Sequence, residues 1–305
     1  MIDPMRHRLL ARAAARVRRS LGHDELLRRL EAVEARLATA GTEVRYPYGP
    51  VYLGDHTVLV ATRWGGKLLA DTGDAMVSPW LVLDGLWEAH VTDWVQRTLR
   101  PGQVFVDVGA NIGYFTVLGG LRVGRGGRVV AVEAHPRLAE LLRRNVVING
   151  LHEYTTVWPC AAWSQRTDLK FHLRENFASN SSVGSVGADA LARLGDSEEL
   201  VEVAAAPLDE LLADVGHVDL LKVDVEGAET HVFGGLTRTL AANPALTVMF
   251  EWSPAQVIAV GDDPGALLDL LLESGFAFRL LEEDLRRVDR TRLLELPYGN
   301  VVATR

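Results

Sequence analysis

The chain has 305 residues, of which 48% are hydrophobic and 24% are charged, so it can bury one full-sized core and a small accessory region. Its net charge of −8 argues against a nucleic-acid partner and favours small-molecule, peptide or glycan substrates, and no apolar run approaches the roughly 18 residues that span a bilayer. A single cysteine excludes an intrachain disulfide and the N-terminus lacks the apolar stretch of a signal peptide, so we expect a cytoplasmic setting.

Residues 1–40 are predicted to form an N-terminal helical segment. An apolar seam steps by four, three and four residues, a spacing typical of a helix-on-helix contact. Its members are Leu26, Leu30, Val33 and Leu37. The seam covers fewer than three heptads, so docking onto the body of the same protein and homodimerisation both stay open. Arginines 8, 12, 16 and 19 form a basic face, which is either solvated or attracted to an anionic membrane surface or acidic substrate.

Residues 41–83 contain short β-type segments separated by glycine-rich turns, which predicts a small β-meander. From residue 84 to residue 305, strands and helices alternate in the pattern of a parallel, doubly wound α/β sheet. Strands are predicted near 104–109, 128–133, 155–161, 218–224, 246–252, 276–282 and 300–305. Helices are predicted near 84–99, 113–122, 136–148, 227–240 and 263–274. The stretch 163–206 is predicted to be an irregular, lid-like insertion over the carboxyl edge of the sheet.

The most informative segment is a β-branched strand that ends in Asp-x-Gly-x-Asn-x-Gly. In Phe105-Val-Asp-Val-Gly109-Ala-Asn-Ile-Gly113-Tyr-Phe, two glycines let the backbone approach a ligand before a helix begins. A second strand presents Glu133 at its carboxyl end, where a carboxylate can accept both hydroxyls of a ribose. These residues predict a nucleoside-cofactor site, and we expect S-adenosylmethionine to be the cofactor.

Several blocks of the sequence resemble the FkbM-type S-adenosylmethionine-dependent methyltransferases over roughly residues 84–255. The blocks are Gly85-Leu-Trp87-Glu88, Phe105 to Thr116, Val132-Glu-Ala-His-Pro136, Leu141-Leu-Arg-Arg-Asn145, Asn180-Ser-Ser182 and Leu221-Lys-Val-Asp-Val-Glu-Gly-Ala-Glu229. The resemblance covers neither the N-terminal helix nor the β-meander. It implies the class I methyltransferase fold, a Rossmann-like seven-stranded sheet flanked by helices, with the last strand antiparallel. It also implies methylation of oxygen on sugars, polyketides and other secondary metabolites.

The resemblance further implies a set of cofactor contacts. Glu88 can reach the cofactor's amino group, or else it is a helix-surface charge. Asp107 is expected to orient the amino-acid part of the cofactor, or else to cap the turn. Tyr114 and Phe115 either shield the cofactor or pack in the core. The predicted cofactor-binding residues are Glu88, Asp107, Gly109, Ala110, Asn111, Gly113, Tyr114, Phe115, Glu133, Ala134, Ala161 and Asp224.

The catalytic groups are expected after the fourth strand of the implied fold, which ends beside the transferred methyl group. Asp224 and Glu226 lie at that strand end, whereas His231 lies one helical turn away and has the unperturbed pKa, about 6.5, that best suits a general base. Glu251 ends the next strand, where a carboxylate must be paired or near water. The predicted catalytic residues are Asp224, Glu226, His231 and Glu251. The three carboxylates can bind Mg²⁺ through oxygen, but no spacing demands a metal and we predict none.

The predicted reaction is in-line methyl transfer to a hydroxyl of a sugar, glycolipid or polyketide-type natural product, with a carboxylate or histidine as base. One alternative is methylation of a nitrogen or carboxylate on a small molecule or peptide, which needs little base catalysis. Another is a non-catalytic scaffold, which would bind no cofactor. A nicotinamide-dependent oxidoreductase needs a Gly-x-Gly-x-x-Gly turn, which Gly109-Ala-Asn-Ile-Gly113 does not supply.

Overall fold

The computed structural model describes residues 49–282 and 284–305, and the helix predicted over residues 1–40 lies outside them. The strands are β1 (Val51–Gly54), β2 (Thr57–Ala61), β3 (Lys67–Asp71), β4 (Val104–Val108), β5 (Arg128–Val132), β6 (Thr155–Trp158), β7 (Ala161–Ala162), β8 (Thr167–Arg174), β9 (Glu198–Ala206), β10 (Leu220–Val223), β11 (Thr247–Trp252), β12 (Ala277–Leu280), β13 (Arg286–Val288) and β14 (Gly299–Thr304). The helices are α1 (Val77–Asp84), α2 (Ala89–Thr98), α3 (Tyr114–Val123), α4 (Pro136–Ile148), α5 (Ala188–Leu194), α6 (Leu208–Leu211), α7 (Glu229–Gly234), α8 (Thr237–Ala242), α9 (Pro254–Val260), α10 (Pro264–Glu273) and α11 (Arg290–Glu295). None of the described helices is both long and apolar enough to cross a membrane.

The central sheet has eight strands in the order β13-β12-β14-β11-β10-β4-β5-β6. The four adjacent pairs β6–β5, β5–β4, β4–β10 and β10–β11 are parallel. In contrast, β14 runs antiparallel to both β11 and β12. The class I methyltransferase fold with its antiparallel last strand is therefore confirmed. The eighth strand, β13, was not predicted, because it is only three residues long and two of them are exposed arginines.

The central strands are continuous apolar runs because helices cover both faces of a parallel sheet. Every residue of β4 and of β10 is buried. On one face, Phe250 makes edge-on contacts with Phe233, Trp252 and Phe278, at ring-centroid distances of 5.8, 6.3 and 6.3 Å. Burying one such side chain contributes about 1.5–3 kcal/mol. Polar side chains that are accessible to a ligand are consequently found at the ends of these strands rather than along them.

Three parts of the domain differ from the sequence-based expectation. The strand predicted over residues 155–161 ends at Trp158, and β7 pairs in parallel with β9 outside the central sheet. The insertion predicted to be irregular contains a long antiparallel pair, β8 with β9. Most residues of these two strands are at least partly exposed, so no long apolar run marks them in the sequence. The helix predicted over 227–240 is interrupted at Gly235, where a Cβ would lie 2.1 Å from the Trp163 carbonyl oxygen.

The predicted β-meander is present as the antiparallel sheet β1-β2-β3. Side chains of α4 close its open edge. The fully buried Asn145 accepts a hydrogen bond from the Leu69 amide at 2.6 Å and donates to the Leu69 carbonyl at 3.0 Å. It also donates to the carbonyl of Ile112 at 2.7 Å, and Asn149 makes the corresponding pair of bonds with Lys67. Asn145 therefore joins the meander to the glycine turn after β4.

We predict that Asn145→Ala lowers the free energy of unfolding by about 3 kcal/mol, because it leaves three buried backbone groups without partners. Asn149→Ala is the matched control and should cost about 1 kcal/mol, because its bonds to Lys67 are exposed to water. Urea denaturation measures both values. Equal losses in the two variants would contradict the prediction.

Candidate active site

A cleft of about 440 Å³ opens at the carboxyl ends of β4, β5, β10 and β11. Twelve of the residues predicted for cofactor binding or catalysis line it, and these are Glu88, Gly109, Ala110, Asn111, Tyr114, Phe115, Glu133, Ala134, Ala161, Asp224, Glu226 and Glu251. Three predicted residues, Asp107, Gly113 and His231, do not line it. The structure therefore brings most of the predicted site together around one cavity.

The glycine turn after β4 forms the floor of one half of the cleft. Gly109 has φ 76°, and a Cβ there would lie 1.7 Å from the Asp224 carbonyl oxygen, so only glycine fits. The amides of Gly109 and Ala110 donate to the carbonyl of Val132, at 2.9 and 3.1 Å. Gly113, with φ 90°, precedes α3 and lies against Leu142. Its role is to let the turn pass into the helix.

Glu133 ends β5 and has both carboxylate oxygens hydrogen-bonded to backbone. Oε2 accepts from the Asn111 amide at 2.7 Å, and Oε1 accepts from the His135 amide at 2.8 Å. Burial raises the pKa of this carboxyl to about 7, although the two amides oppose the shift. Each oxygen keeps a further lone pair. Glu133 can therefore hold the glycine turn in place and still accept hydroxyl groups of a bound ligand.

Asp107 lies beneath the turn rather than on the wall of the cleft. Its side chain is fully buried, and Oδ2 accepts a hydrogen bond from the Thr116 hydroxyl at 2.5 Å. Burial raises the pKa of its carboxyl, while the nearby Lys222 ammonium lowers it. The other oxygen, Oδ1, is buried and has no hydrogen-bond partner among the described residues. The contact of Asp107 with the amino-acid part of the cofactor stays a prediction, because the side chain lies behind the cleft lining.

Lys222 is a component of the site to which the sequence analysis gave no role. Its buried ammonium lies 2.9 Å from Asp224 Oδ2 and 4.9 Å from the centre of the Phe115 ring. Burial lowers the pKa of Lys222, but the carboxylates of Asp224, Asp107 and Glu88 outweigh burial and raise it. Lys222 is therefore a permanent cation, and Asp224 is its ion-pair partner.

Glu226 occupies the centre of the acidic half of the cleft. It has φ 56°, a left-handed conformation that is uncommon outside glycine. Oε1 accepts from the Asn180 side-chain amide at 3.2 Å, and Oε2 accepts from the side-chain amide of Gln256. Burial, together with the charges of Asp224 and Glu229, raises the pKa of Glu226 to about 8. This carboxyl can exchange a proton near neutral pH.

Glu251 and Glu88 add two further carboxylates to the same cleft. Burial is the largest cause of the raised pKa of Glu251, followed by the charges of Asp224 and Glu226, and the Tyr298 hydroxyl opposes the shift by a hydrogen bond. Glu88 has φ 40° and immediately precedes α2, and burial with the Asp224 charge raises its pKa to about 7.

One oxygen each of Asp224, Glu226 and Glu251 lies within 4.8 Å of the others, a spacing that a cation can bridge. All three already have partners in the structure. Asp224 is paired with Lys222, Glu226 accepts from two side-chain amides, and Glu251 accepts from the Tyr298 hydroxyl. Protein side chains therefore already contact the carboxylates that would bind a metal ion.

His231 is not placed as a base for this cleft. Its ring stacks on Trp163 at a centroid distance of 3.6 Å, and Nε2 lies 3.2 Å from Asp262 Oδ2. The prediction that His231 is catalytic is therefore corrected, because α7 turns the side chain toward α9 and the loop after it. Glu229, one of the acidic groups in the same block, is buried, and its Oε1 accepts from the amides of Val225 and Gly227 at 3.1 and 3.4 Å.

The family model described as the methyltransferase FkbM domain matches residues 107–278. The chain belongs to the FkbM methyltransferase family. It is a methyltransferase with S-adenosylmethionine as its cofactor, as the glycine turn and Glu133 led us to expect.

Other matches are shorter or weaker. A protein-L-isoaspartate O-methyltransferase of Caenorhabditis elegans is 41% identical over 58 residues, which span 19% of this chain and only 26% of that relative. Two solved structures are a precorrin-6y C5,15-methyltransferase from Geobacter metallireducens GS-15 and an O-methyltransferase from Bacillus cereus in complex with SAH. The first is 11% identical, covers 72% of this chain and 88% of its own, and has a TM-score of 0.40. The second is 13% identical, covers 72% of this chain and 80% of its own, and has a TM-score of 0.40.

We predict that Glu229 makes the methyltransferase less stable as the pH rises. Burial raises its pKa from the usual 4.5 to about 7, so the unfolded chain releases this proton at lower pH than the folded one does. The stabilisation is complete below pH 4.5 and is lost as the pH rises through about 7. Relative to Glu229→Gln, the wild type should lose about 1–3 kcal/mol of unfolding free energy between pH 4.5 and 7.5. Chemical denaturation across this range tests it, and a difference that does not change with pH would contradict it.

Proposed function

We propose that this methyltransferase transfers a methyl group to a hydroxyl of a sugar, glycolipid or polyketide-type natural product, with Glu226 as the general base. The observation that carries the proposal is the environment of Glu226. Its carboxylate lies in the cleft, is fixed by Asn180 and Gln256, and has a pKa of about 8. A group of this kind can accept the proton of an alcohol near neutral pH.

The cofactor half of the cleft is formed by the glycine turn, Glu133 and Glu88. Glu133 would accept the ribose hydroxyls, the backbone from Gly109 to Asn111 would follow the cofactor closely, and the Glu88 carboxylate would receive its ammonium group. When bound, S-adenosylmethionine supplies a methyl carbon on a sulfonium. Fixing that carbon and the acceptor oxygen in line can supply roughly 7–11 kcal/mol of the acceleration.

The acceptor half is formed by Glu226, Glu251, Tyr298 and the insertion that contributes Asn180. In the proposed reaction, a Glu226 oxygen would take up the proton of the acceptor hydroxyl as that oxygen is methylated. The cofactor would supply the methyl group and keep the electron pair of the carbon–sulfur bond that is broken. Neutral donors and acceptors such as Asn180 and the Tyr298 hydroxyl suit a polyhydroxylated molecule.

Electrostatics argue against an anionic acceptor. Among the described residues that line the cleft, Lys222 is the sole Lys, Arg or His, and Asp224 already pairs with it. A carboxylate acceptor would lie among Asp224, Glu226 and Glu251 without a counter-charge, which is unfavourable in a partly desolvated site. The carboxyl-methylating alternative, suggested by the short match to an isoaspartate O-methyltransferase, is therefore the weaker proposal.

The first test is calorimetric titration of the full chain with S-adenosylmethionine and S-adenosylhomocysteine. We expect micromolar binding to the wild type and at least tenfold weaker binding to Glu133→Ala, which removes the proposed ribose acceptor. Glu140→Ala, an exposed glutamate on α4, is the matched control and should bind as the wild type does. Folded wild type that binds neither ligand would refute the cofactor site and favour a scaffold.

The second test concerns the base. We expect Glu226→Gln to lower kcat by about 10²–10⁴-fold and to leave cofactor affinity unchanged, because the amide cannot accept the proton. In the wild type kcat/KM should rise with pH up to about 8 and then level off, since the base works in its ionised form. Acceptors from hydroxyl, amine and carboxylate classes are compared. Activity that survives in Glu226→Gln would favour an amine or carboxylate acceptor.

A further inference from the structure

The tip of the β-meander reaches the wall of the cofactor half of the cleft. Residues 62–66 form a tight turn between β2 and β3, closed by a hydrogen bond from the Thr62 amide to the Gly66 carbonyl at 2.9 Å. From this turn the indole Nε1 of Trp64 donates to the hydroxyl of Tyr114 at 2.7 Å. The two rings meet edge-on, with centroids 5.2 Å apart. Tyr114 is buried and lines the cleft.

The Tyr114 hydroxyl has three hydrogen-bond partners. Whether each partner can donate or accept determines where each proton lies. The Trp64 indole and the Trp87 amide, at 2.7 and 3.2 Å, can only donate, so they fill both lone pairs of the phenol oxygen. The phenol proton must then go to the Thr92 oxygen at 3.0 Å, and the Thr92 proton goes to the Trp87 carbonyl at 2.7 Å. The Trp87 amide is thus bonded to the phenol directly, and the Trp87 carbonyl is bonded to the Thr92 hydroxyl that the phenol orients.

A second contact ties the same two segments together. The Arg63 amide donates to the Gly85 carbonyl at 2.9 Å, and Arg63 Nε donates to the Asp84 carbonyl at 2.7 Å. Gly85 has φ 61°, and a Cβ there would lie 2.7 Å from the Ala61 carbonyl. Hydrogen bonds from the meander therefore fix residues 84 and 85, which lie just before Glu88 in the chain. Glu88 follows in a left-handed conformation that surrounding structure must hold in place.

We infer that Tyr114 is a positioning residue for Glu88, and that the β-meander contributes to cofactor affinity through the contact between Trp64 and Tyr114. The Tyr114 hydroxyl is fully used by protein groups, so it neither transfers a proton nor binds a ligand. It fixes the Trp87 backbone, and this fixes the next residue, Glu88, on the cleft wall. The inference rests on the proposed role of Glu88 in holding the cofactor's ammonium group.

A double-mutant cycle on the full chain tests the inference, with the Kd of S-adenosylhomocysteine measured by calorimetry. Tyr114→Phe and Glu88→Gln should each weaken binding about tenfold, and the double variant should also be about tenfold weaker, because both remove the same contact. At saturating cofactor, kcat of Tyr114→Phe should stay within about twofold of wild type. Tyr154→Phe is the matched control, since its hydroxyl donates to the Gly120 carbonyl away from the cleft, and it should bind normally.

Two results would overturn the inference. Independent effects would make the double variant about a hundredfold weaker, which would show that Tyr114 acts without Glu88. Normal binding by Glu88→Gln would remove Glu88 from the cofactor contacts while leaving the Glu133 result intact, so it is distinguishable from a failure of the whole site.

If Tyr114→Phe does not fold, Thr92→Val and Thr92→Ser take its place. Valine removes the acceptor of the phenol proton, whereas serine keeps it. Weaker binding by Thr92→Val, with normal binding by Thr92→Ser, would support the inference, and equal binding by the two would refute it.

Discussion

The close approach of Gly109 to the carbonyl of Asp224 is the constraint on which the site depends. A Cβ at Gly109 would lie 1.7 Å from that oxygen, so the ends of β4 and β10 meet backbone against backbone. The glycine turn and the acidic segment after β10 consequently form adjacent walls of one cleft. In the proposed reaction, a methyl donor on the first wall would lie beside the carboxylates of the second. The parallel sheet makes the two strand ends neighbours, and the absence of a side chain at Gly109 allows them to approach this closely.

The charge balance of the cleft follows from the same crowding. Five carboxylates, those of Glu88, Glu133, Asp224, Glu226 and Glu251, share the lining with Lys222. Burial and mutual repulsion raise the pKa of Glu88, Glu133, Glu226 and Glu251 above their usual range. A positive charge bound beside Glu88 and Glu133 favours the ionised forms of these two carboxyls, so binding of a cationic ligand there is coupled to the release of protons.

The sequence predicted correctly those elements whose residue pattern is compatible with a single local structure. Valine-rich runs located the central strands, and the spacing of Gly109, Asn111 and Gly113 located the turn. It was less informative about side-chain direction and about short or half-exposed strands. Asp107 and His231 belong to sequence blocks that line the cleft, but Asp107 is buried against Thr116 behind the lining, and the ring of His231 stacks on Trp163. The contacts of Trp64 with Tyr114 and of Asn180 with Glu226 join residues 50 and 46 positions apart, which no local pattern reveals.

The cleft extends beyond the stretch that defines the family. The family match covers residues 107–278, whereas Trp64, Glu88 and Tyr298 lie outside it. Glu88 lines the cleft, Trp64 contacts the lining residue Tyr114 from behind, and Tyr298 lines the cleft beside Glu251. The matched segment contains the glycine turn, Glu133 and Glu226, to which we assign the cofactor contacts and the base. On the proposed reaction, the flanking segments would adjust how tightly the cofactor's amino-acid end is held and which acceptor can approach, so both properties can change while the matched segment stays the same.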